Sequence, residues 1–287
     1  MYHDVVPAGA ENSSGFPGRD TALYKITPAL FEAHLEAING RVGRVGQVRR
    51  VGTVQVLPAR PADPSLPADP ALPAPPALPA LSSPMITFDD GGISAMVAAD
   101  MLERRRLLGY FFVTVNYLGA PGFLTVRHLR ELRQRGHAIG SHSCSHPLRM
   151  GHCSFGQVLD EWTRSRAVLA DILGEEPAAA SVPGGDFAPR VAEAAAAAGF
   201  ACLFTSEPVL GPRHAHGLTM HGRFTIQRWT SARTASALAA GEWAACTRQA
   251  VAWTAKKIGK RVAGDRYLEL RRLLLGHSHE VRWGDQR

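Results

Sequence analysis

The sequence predicts an α/β chain built on a parallel sheet, open or closed into a barrel, and three observations carry that reading. Short apolar runs of strand length alternate with amphipathic stretches bounded by helix-start and helix-stop residues. One run, Tyr110 to Val115, is apolar almost throughout, as a strand buried on both faces requires. Three polar clusters each follow directly on such a run, which is where parallel α/β architectures open their ligand-binding face. The 287 residues, 45% hydrophobic and 20% charged, are enough to bury a large core and suit either one large α/β-type domain over residues 1–287 or two small ones.

Thr27 and Pro28, ahead of Leu30, Phe31, Leu35 and Ile38, read as an N-cap and an N1 proline, and Gly40 reads as the helix stop. Residues 41–56 carry Arg41, Arg44, Arg49 and Arg50, then the strand-like Val51, Val54 and Val56. Half of the 20 prolines lie between Pro58 and Pro84, so residues 57–84 form a Pro/Ala-rich low-complexity insertion. Missing amide donors and fixed φ forbid helix or ladder there and leave a solvated, polyproline-like loop.

Met85 to Phe88 is the next strand, and Ser94 opens a helix through Met96, Val97 and Leu102. After the Tyr110 strand, Thr125 caps a helix through Leu129 and Leu132 to Gly136, and a strand follows over 137–141. Ser154 with Gln157 forms a capping box for a helix that carries Val158, Trp162, Leu169 and Ile172 and stops at Gly174. A strand over 178–182, a helix from Pro189 to Gly199 and a strand from Cys202 to Thr205 complete the regular part. Lys256 to Arg272 reads as a basic final helix closing the barrel; an interfacial helix on a membrane surface is the rival reading.

Composition excludes several classes. No run reaches the roughly 18–20 apolar residues that span a bilayer, and Met1 to Val6 has no basic region leading into an apolar one. The chain therefore reads as cytoplasmic, while its abrupt strand-like start leaves room for an upstream segment. Four cysteines in so long a chain do not make a disulfide framework. The net charge of +7 comes from arginine, the only lysines being Lys25, Lys256, Lys257 and Lys260. It reads as solvated faces and not as a nucleic-acid surface.

The polar clusters are Asp89-Asp90-Gly91-Gly92, His142-Ser143-Cys144-Ser145-His146-Pro147 and Ser181-Val182-Pro183-Gly184-Gly185-Asp186. His142 and His146 have the spacing that lets two imidazoles reach one cation, and a carboxylate of the Asp pair supplies a third, hard ligand. Two histidines and a carboxylate, with a position left for water, suit a catalytic divalent metal such as zinc. Adjacent aspartates point in different directions, so one can ligate while the other stays free as a base. A rival Cys/His zinc site around Cys144, Cys153 and His152 lacks a CxxC element and a second ligand pair, and Cys144 is better read as a small buried residue.

Thr87-Phe88-Asp89-Asp90-Gly91 and His142-Ser143-Cys144-Ser145-His146-Pro147 resemble the first two motifs of the polysaccharide deacetylases, the NodB-homology domains of carbohydrate esterase family four. Tyr2-His3-Asp4-Val5 resembles the first strand of many such domains. The resemblance implies a distorted (β/α) barrel and metal-dependent removal of acetyl groups from a carbohydrate, polymeric or lipid-linked. It makes Asp90, His142 and His146 the ligands of a divalent metal, most simply Zn²⁺, Asp89 the general base, and the Gly184 N–H an oxyanion donor.

Two departures stand out. The family's third motif carries an arginine oriented against the catalytic Asp, followed two residues on by Pro and an aromatic; here Ser181, Pro183 and Gly184 stand instead, a Pro-Gly-Gly form that resembles a branch tied to bacterial exopolysaccharide synthesis. The general-acid histidine has two weak candidates, His277 after Leu273-Leu274-Leu275-Gly276, and His221 before Gly222-Arg223-Phe224. A catalytically weak sugar-binding homologue and a hydrolase of another linear amide are therefore the alternatives.

Overall fold

The computed structural model describes residues 1–45 and 84–258. The expected strand near Val51–Val56, the proline-rich insertion apart from Pro84, and the chain beyond 258, including His277, lie outside them. In chain order the elements are β1 (Asp4–Val5), β2 (Lys25–Ile26), α1 (Pro28–Val45), β3 (Ile86–Phe88), α2 (Ala95–Glu103), β4 (Gly109–Val113), α3 (Val126–Gln134), β5 (Ala138–Ser141), α4 (Phe155–Leu173), β6 (Ala179–Ser181), α5 (Pro189–Ala197), β7 (Cys202–Phe204), β8 (Arg213–Ala215), β9 (Leu218–His221) and α6 (Ala232–Ala239). Residues 243–258 are also helical. No helix of the described residues is long and apolar enough to cross a membrane.

The main sheet runs β3-β4-β5-β6-β7-β9-β8, parallel throughout except for the β8/β9 hairpin. Beside it, β1 and β2 pair in parallel, and Tyr2 bridges Phe88. The first residues join the two ends of this array. Tyr2 donates to the Thr87 carbonyl (2.7 Å) and accepts from the Asp89 amide (3.1 Å), while the Met1 carbonyl accepts from the Ile226 amide (2.9 Å), just past β9. The distorted (β/α) barrel expected from the sequence is the observed architecture.

The caps explain why the helices start and stop where they do. Thr27 Oγ1 accepts from the Leu30 amide, Thr125 and Ser154 each form a reciprocal capping box, and Gly174 ends α4 in the left-handed region (φ 72°). Strand residues of β3 and β4 are buried on both faces, and Phe88 stacks on Phe111 with ring centroids 4.9 Å apart.

One expectation is corrected and two details are added. Gly40 does not end α1, which continues to Val45; a glycine inside a helix costs only about 1 kcal/mol, and Arg41 beyond it pairs with Glu242. Ser94 opens α2 as expected, but without a capping bond, because its hydroxyl accepts from the Val5 amide and donates to Asp4 Oδ1. The β8/β9 hairpin was not anticipated, although His216-Gly217, with φ of 53° and 80°, is the left-handed pair that a tight hairpin turn needs.

Candidate active site

The site is built at the carboxyl ends of β3, β5 and β6. After Phe88 the backbone turns sharply, with Asp90 at φ 74° and Gly91 at φ 83°. A side chain at Gly91 would meet Val113 Cγ1 at 3.0 Å, so glycine is required. The turn sends the two carboxylates apart. Asp90 Oδ1 lies 3.3 Å from His142 Nε2 and 3.3 Å from His146 Nε2. Asp89 turns instead toward Ser181 and Arg223.

Asp90, His142 and His146 are the one group of three or more His, Cys, Asp or Glu side chains among the described residues whose ligand atoms converge, all within 4.8 Å of one another. His142 Nδ1 sits 2.9 Å from the Ser181 carbonyl. That contact makes Nδ1 the donor and leaves Nε2, which points at Asp90, as the atom that can ligate once its proton is displaced. Two imidazole nitrogens and one hard oxygen fit a zinc-like divalent cation.

Electrostatics agree with the division of labour. Burial alone would raise the Asp90 carboxyl, but hydrogen bonds to His142 and His146 hold it well below the usual carboxylate range. Burial would likewise lower His142, yet Asp89 and Asp90 raise it above the ordinary histidine value. Asp89 is pulled down against its own burial, chiefly by Arg223.

Arg223 is the residue that sequence reasoning missed. Its guanidinium makes a two-pronged contact with Asp89, Nη1 to Oδ1 at 2.7 Å and Nη2 to Oδ2 at 2.8 Å. It also donates to Ser181 Oγ (2.6 Å), and Ser181 Oγ in turn lies 3.3 Å from Asp89 Oδ2. The arginine missing from the third motif is thus supplied from just past β9, and the small Ser181 leaves room for it. Phe112 and Phe204 flank the guanidinium at 5.5 and 5.8 Å from their ring centres.

His3 is the second omission. The parallel bridge from Tyr2 to Phe88 places the next residue, His3, in register with Asp89, and in-register neighbours of parallel strands face the same way. Its Nδ1 is buried and has no hydrogen-bond partner. Burial lowers its pKa, while Asp90 and Asp89 pull the other way. The signal was present in Tyr2-His3-Asp4-Val5, read only as a strand.

The other sequence candidates fall elsewhere. His221 stacks on Phe204 (5.0 Å between ring centres), and burial followed by His214, not the two aspartates, sets its pKa. Cys144 is buried in the core with its thiol raised to about 12 by burial, and Cys153 Sγ faces the Arg149 carbonyl, so no Cys/His zinc site forms. Gly184 adopts φ 61° in a turn after β6, where a Cβ would lie 2.7 Å from the Leu148 carbonyl oxygen. Lys257 pairs with Glu207 at 3.6 Å and lies over Trp253.

A parallel sheet curled into a barrel carries, at one end, a carboxylate–imidazole triad and an arginine-bound second carboxylate. Residues 82–203, which carry β3 to β7, match the polysaccharide deacetylase family. The resemblance drawn from the motifs is borne out, and the class is that of hydrolases acting on carbon–nitrogen bonds other than peptide bonds. No curated protein sequence matches the chain.

Among solved structures, the Streptococcus pyogenes deacetylase PplD in complex with acetate is similar at 19% identity and TM-score 0.56, over 81% of this chain and 93% of that one. IcaB from Ammonifex degensii is similar at 18% identity and TM-score 0.56, over 83% and 94%. A polysaccharide deacetylase from Bacillus cereus reaches TM-score 0.59 at 17% identity, over 83% of this chain and 67% of that one. These likenesses establish the shared fold.

Proposed function

We propose that the protein removes acetyl groups from the amide nitrogens of a carbohydrate, polymeric or lipid-linked, using a divalent cation, zinc by its donor set, held by Asp90, His142 and His146. One observation carries the reading: two adjacent carboxylates diverge at a strand end, one onto two imidazoles and the other onto a buried guanidinium. When bound, the cation supplies Lewis acidity toward an amide carbonyl and toward water.

The chain's own residues do the rest. Asp89, kept ionised by Arg223, accepts the proton of the attacking water. Arg223 and Ser181 fix its orientation, so that the carboxylate does not swing onto the cation beside Asp90. The Gly184 N–H, presented by the left-handed turn after β6, is the donor to the oxyanion that develops on the substrate carbonyl. His3 hands a proton to the leaving amine. The reading as a catalytically weak homologue rested on a missing arginine and acid histidine; the Arg223 contact with Asp89 speaks against the first, and this proposal assigns the second to the buried His3. The Pro183-Gly184-Gly185 form of the third motif supports a substrate in bacterial exopolysaccharide or cell-envelope metabolism.

The test is acetate release from N-acetylglucosamine oligomers and glycolipids by Zn²⁺-loaded protein. Wild type should turn over and Asp89→Asn should fall at least a hundredfold; equal rates for the two proteins across the panel refute the assignment. Preferential cleavage of small linear amides would point to the other hydrolase reading.

A further inference from the structure

We propose that Glu161, on α4, is a positioning residue that presets the two histidines for the cation, an inference that rests on the cation site proposed above. Glu161 is 2% exposed in the middle of a helix, flanked on that face by the buried Val158, Trp162 and Ser165. No lysine, arginine or histidine forms an ion pair with it among the described residues. A carboxylate in such a place must be satisfied by hydrogen bonds, and its three donors all come from the segment between the two histidines. Oε2 accepts from the Cys144 amide (2.8 Å) and the Ser145 amide (2.9 Å), and Oε1 accepts from Ser145 Oγ (2.7 Å).

That segment is one that would not hold its shape unaided. Ser143 and His146 both adopt left-handed backbone conformations, at φ 67° and 60°, which side-chain-bearing residues rarely do. Consecutive amides from Ser143 to His146 find no backbone ladder. Each is captured by a side chain: Ser143 N donates to Ser141 Oγ (3.0 Å), Cys144 N and Ser145 N donate to Glu161, and His146 N donates to Ser143 Oγ (3.1 Å). The Ser143 contact is local to the loop, and Ser141, the last residue of β5, is itself bonded to Ser165 on α4 (2.6 Å). The loop's carbonyls are held separately, Ser143 O and Cys144 O accepting from the Val115 and Asn116 amides (3.2 and 3.1 Å). Among the described residues, however, Glu161 is the one side chain from outside β5 and the loop that takes its amides directly, and α4 is fixed at this point by the fully buried Trp162, bonded to the Val191 carbonyl. Without Glu161 the Cys144 and Ser145 amides lose their acceptor, and the strained backbone between the imidazoles keeps only the serine contacts and its carbonyl bonds to Val115 and Asn116.

Groups that orient ligands from behind typically change metal affinity ten- to a hundredfold when removed. The experiment titrates Zn²⁺ into the metal-stripped full chain against a chromogenic chelator, with circular dichroism and thermal melts of each metal-free variant alongside. Glu161→Ala should bind Zn²⁺ ten- to a hundredfold more weakly with its secondary structure intact. Glu161→Gln, whose amide oxygen can take both backbone donors, should stay within about threefold of wild type. Asp160→Ala, one residue away on the exposed face, should match wild type.

A folded Glu161→Ala with wild-type affinity overturns the inference, as does a folded Glu161→Gln that loses as much as the alanine variant, since charge and not position would then be responsible. If the alanine variant does not fold, Glu161→Asp decides: its shorter reach should weaken Zn²⁺ at least threefold, and wild-type affinity again overturns the inference. The cation site has its own check. A wild type that binds no Zn²⁺, or an Asp90→Asn variant that binds it equally well, refutes that site and this inference together, whereas an effect of Asp90 without one of Glu161 refutes the inference alone.

Discussion

Replacing Arg223 by methionine isolates what the buried guanidinium does for Asp89. Both groups are nearly inaccessible, at 5% and 4% exposure, and the two bonds between them are short and charge-assisted. Removing one partner of such a pair leaves an uncompensated buried charge and costs about 3–5 kcal/mol, or a Tm fall on the order of 10 °C for a chain of this size. The loss should depend on pH, and its sign follows from Asp89. In wild type the folded carboxyl lies below its unfolded value, so it stabilises above that value and the contribution disappears as pH falls through the folded pKa. In the variant, burial acts unopposed by the arginine and raises the folded carboxyl, so Asp89 destabilises above the unfolded value of about 3.9. The gap between the two proteins should therefore be small in acid and widest near neutrality. Denaturant unfolding across pH measures it, and Arg223→Met combined with Asp89→Asn should recover most of the loss. A deficit independent of pH, and unchanged by Asp89→Asn, would refute the ion-pair account and leave packing on Phe112 and Phe204 as the explanation.

Three further outcomes follow from the site. Because Asp89 and Asp90 raise His142 above the ordinary histidine value in the metal-free protein, a cation must displace a proton to bind; Zn²⁺ affinity should fall about tenfold per pH unit below that pKa, which calorimetry in buffers of differing ionisation heat would detect as proton release. His3→Gln should lower kcat by about 10²–10⁴-fold while leaving Zn²⁺ affinity within threefold, and it should abolish a limb on which kcat declines as pH rises through a histidine pKa held below 6.5 by burial. Gly184→Ala forces a Cβ toward the Leu148 carbonyl at positive φ and should cost about 1–3 kcal/mol in urea unfolding, with a loss of kcat beyond the loss of folded protein.

The parts legible in the sequence were those fixed by local chemistry. Thr125 with His128 and Ser154 with Gln157 cap their helices through side chains three residues apart, and Asp90, His142 and His146 end strands whose apolar runs were plain. Local chemistry also misled where a tertiary bond outbid it. Gly40 stays helical because α1 packs along α6, and Ser94, although it opens α2, gives its hydroxyl to Asp4, 90 positions away. Short strands such as β8 and β9, of three and four residues, carry too few alternations to announce themselves. Arg223 and His3 were hidden for a different reason: a motif describes spacing along the chain, whereas Arg223 reaches Asp89 from far along the sequence and His3 is set in register with it by the Tyr2–Phe88 bridge.

Barrel closure is what brings them there. Met1 and Tyr2 lie between β3 and the segment at Ile226, so the bonds from Tyr2 to Thr87 and Asp89 and from Met1 to Ile226 join the two margins of the array. His3 follows directly on one side of that seam, and Arg223 precedes Ile226 by three residues on the other. The buried network next to His3 reinforces the seam, with Lys25 Nζ donating to the carbonyls of Glu11, Ser14 and Phe16 and lying 3.7 Å from Asp4. Asp89, Arg223 and His3 are thus brought to one seam by one set of backbone contacts, while Asp90, His142 and His146, proposed above for the cation, follow β3 and β5 inside the sheet. A perturbation at the seam should accordingly uncouple the two functions, sparing Zn²⁺ binding while removing turnover.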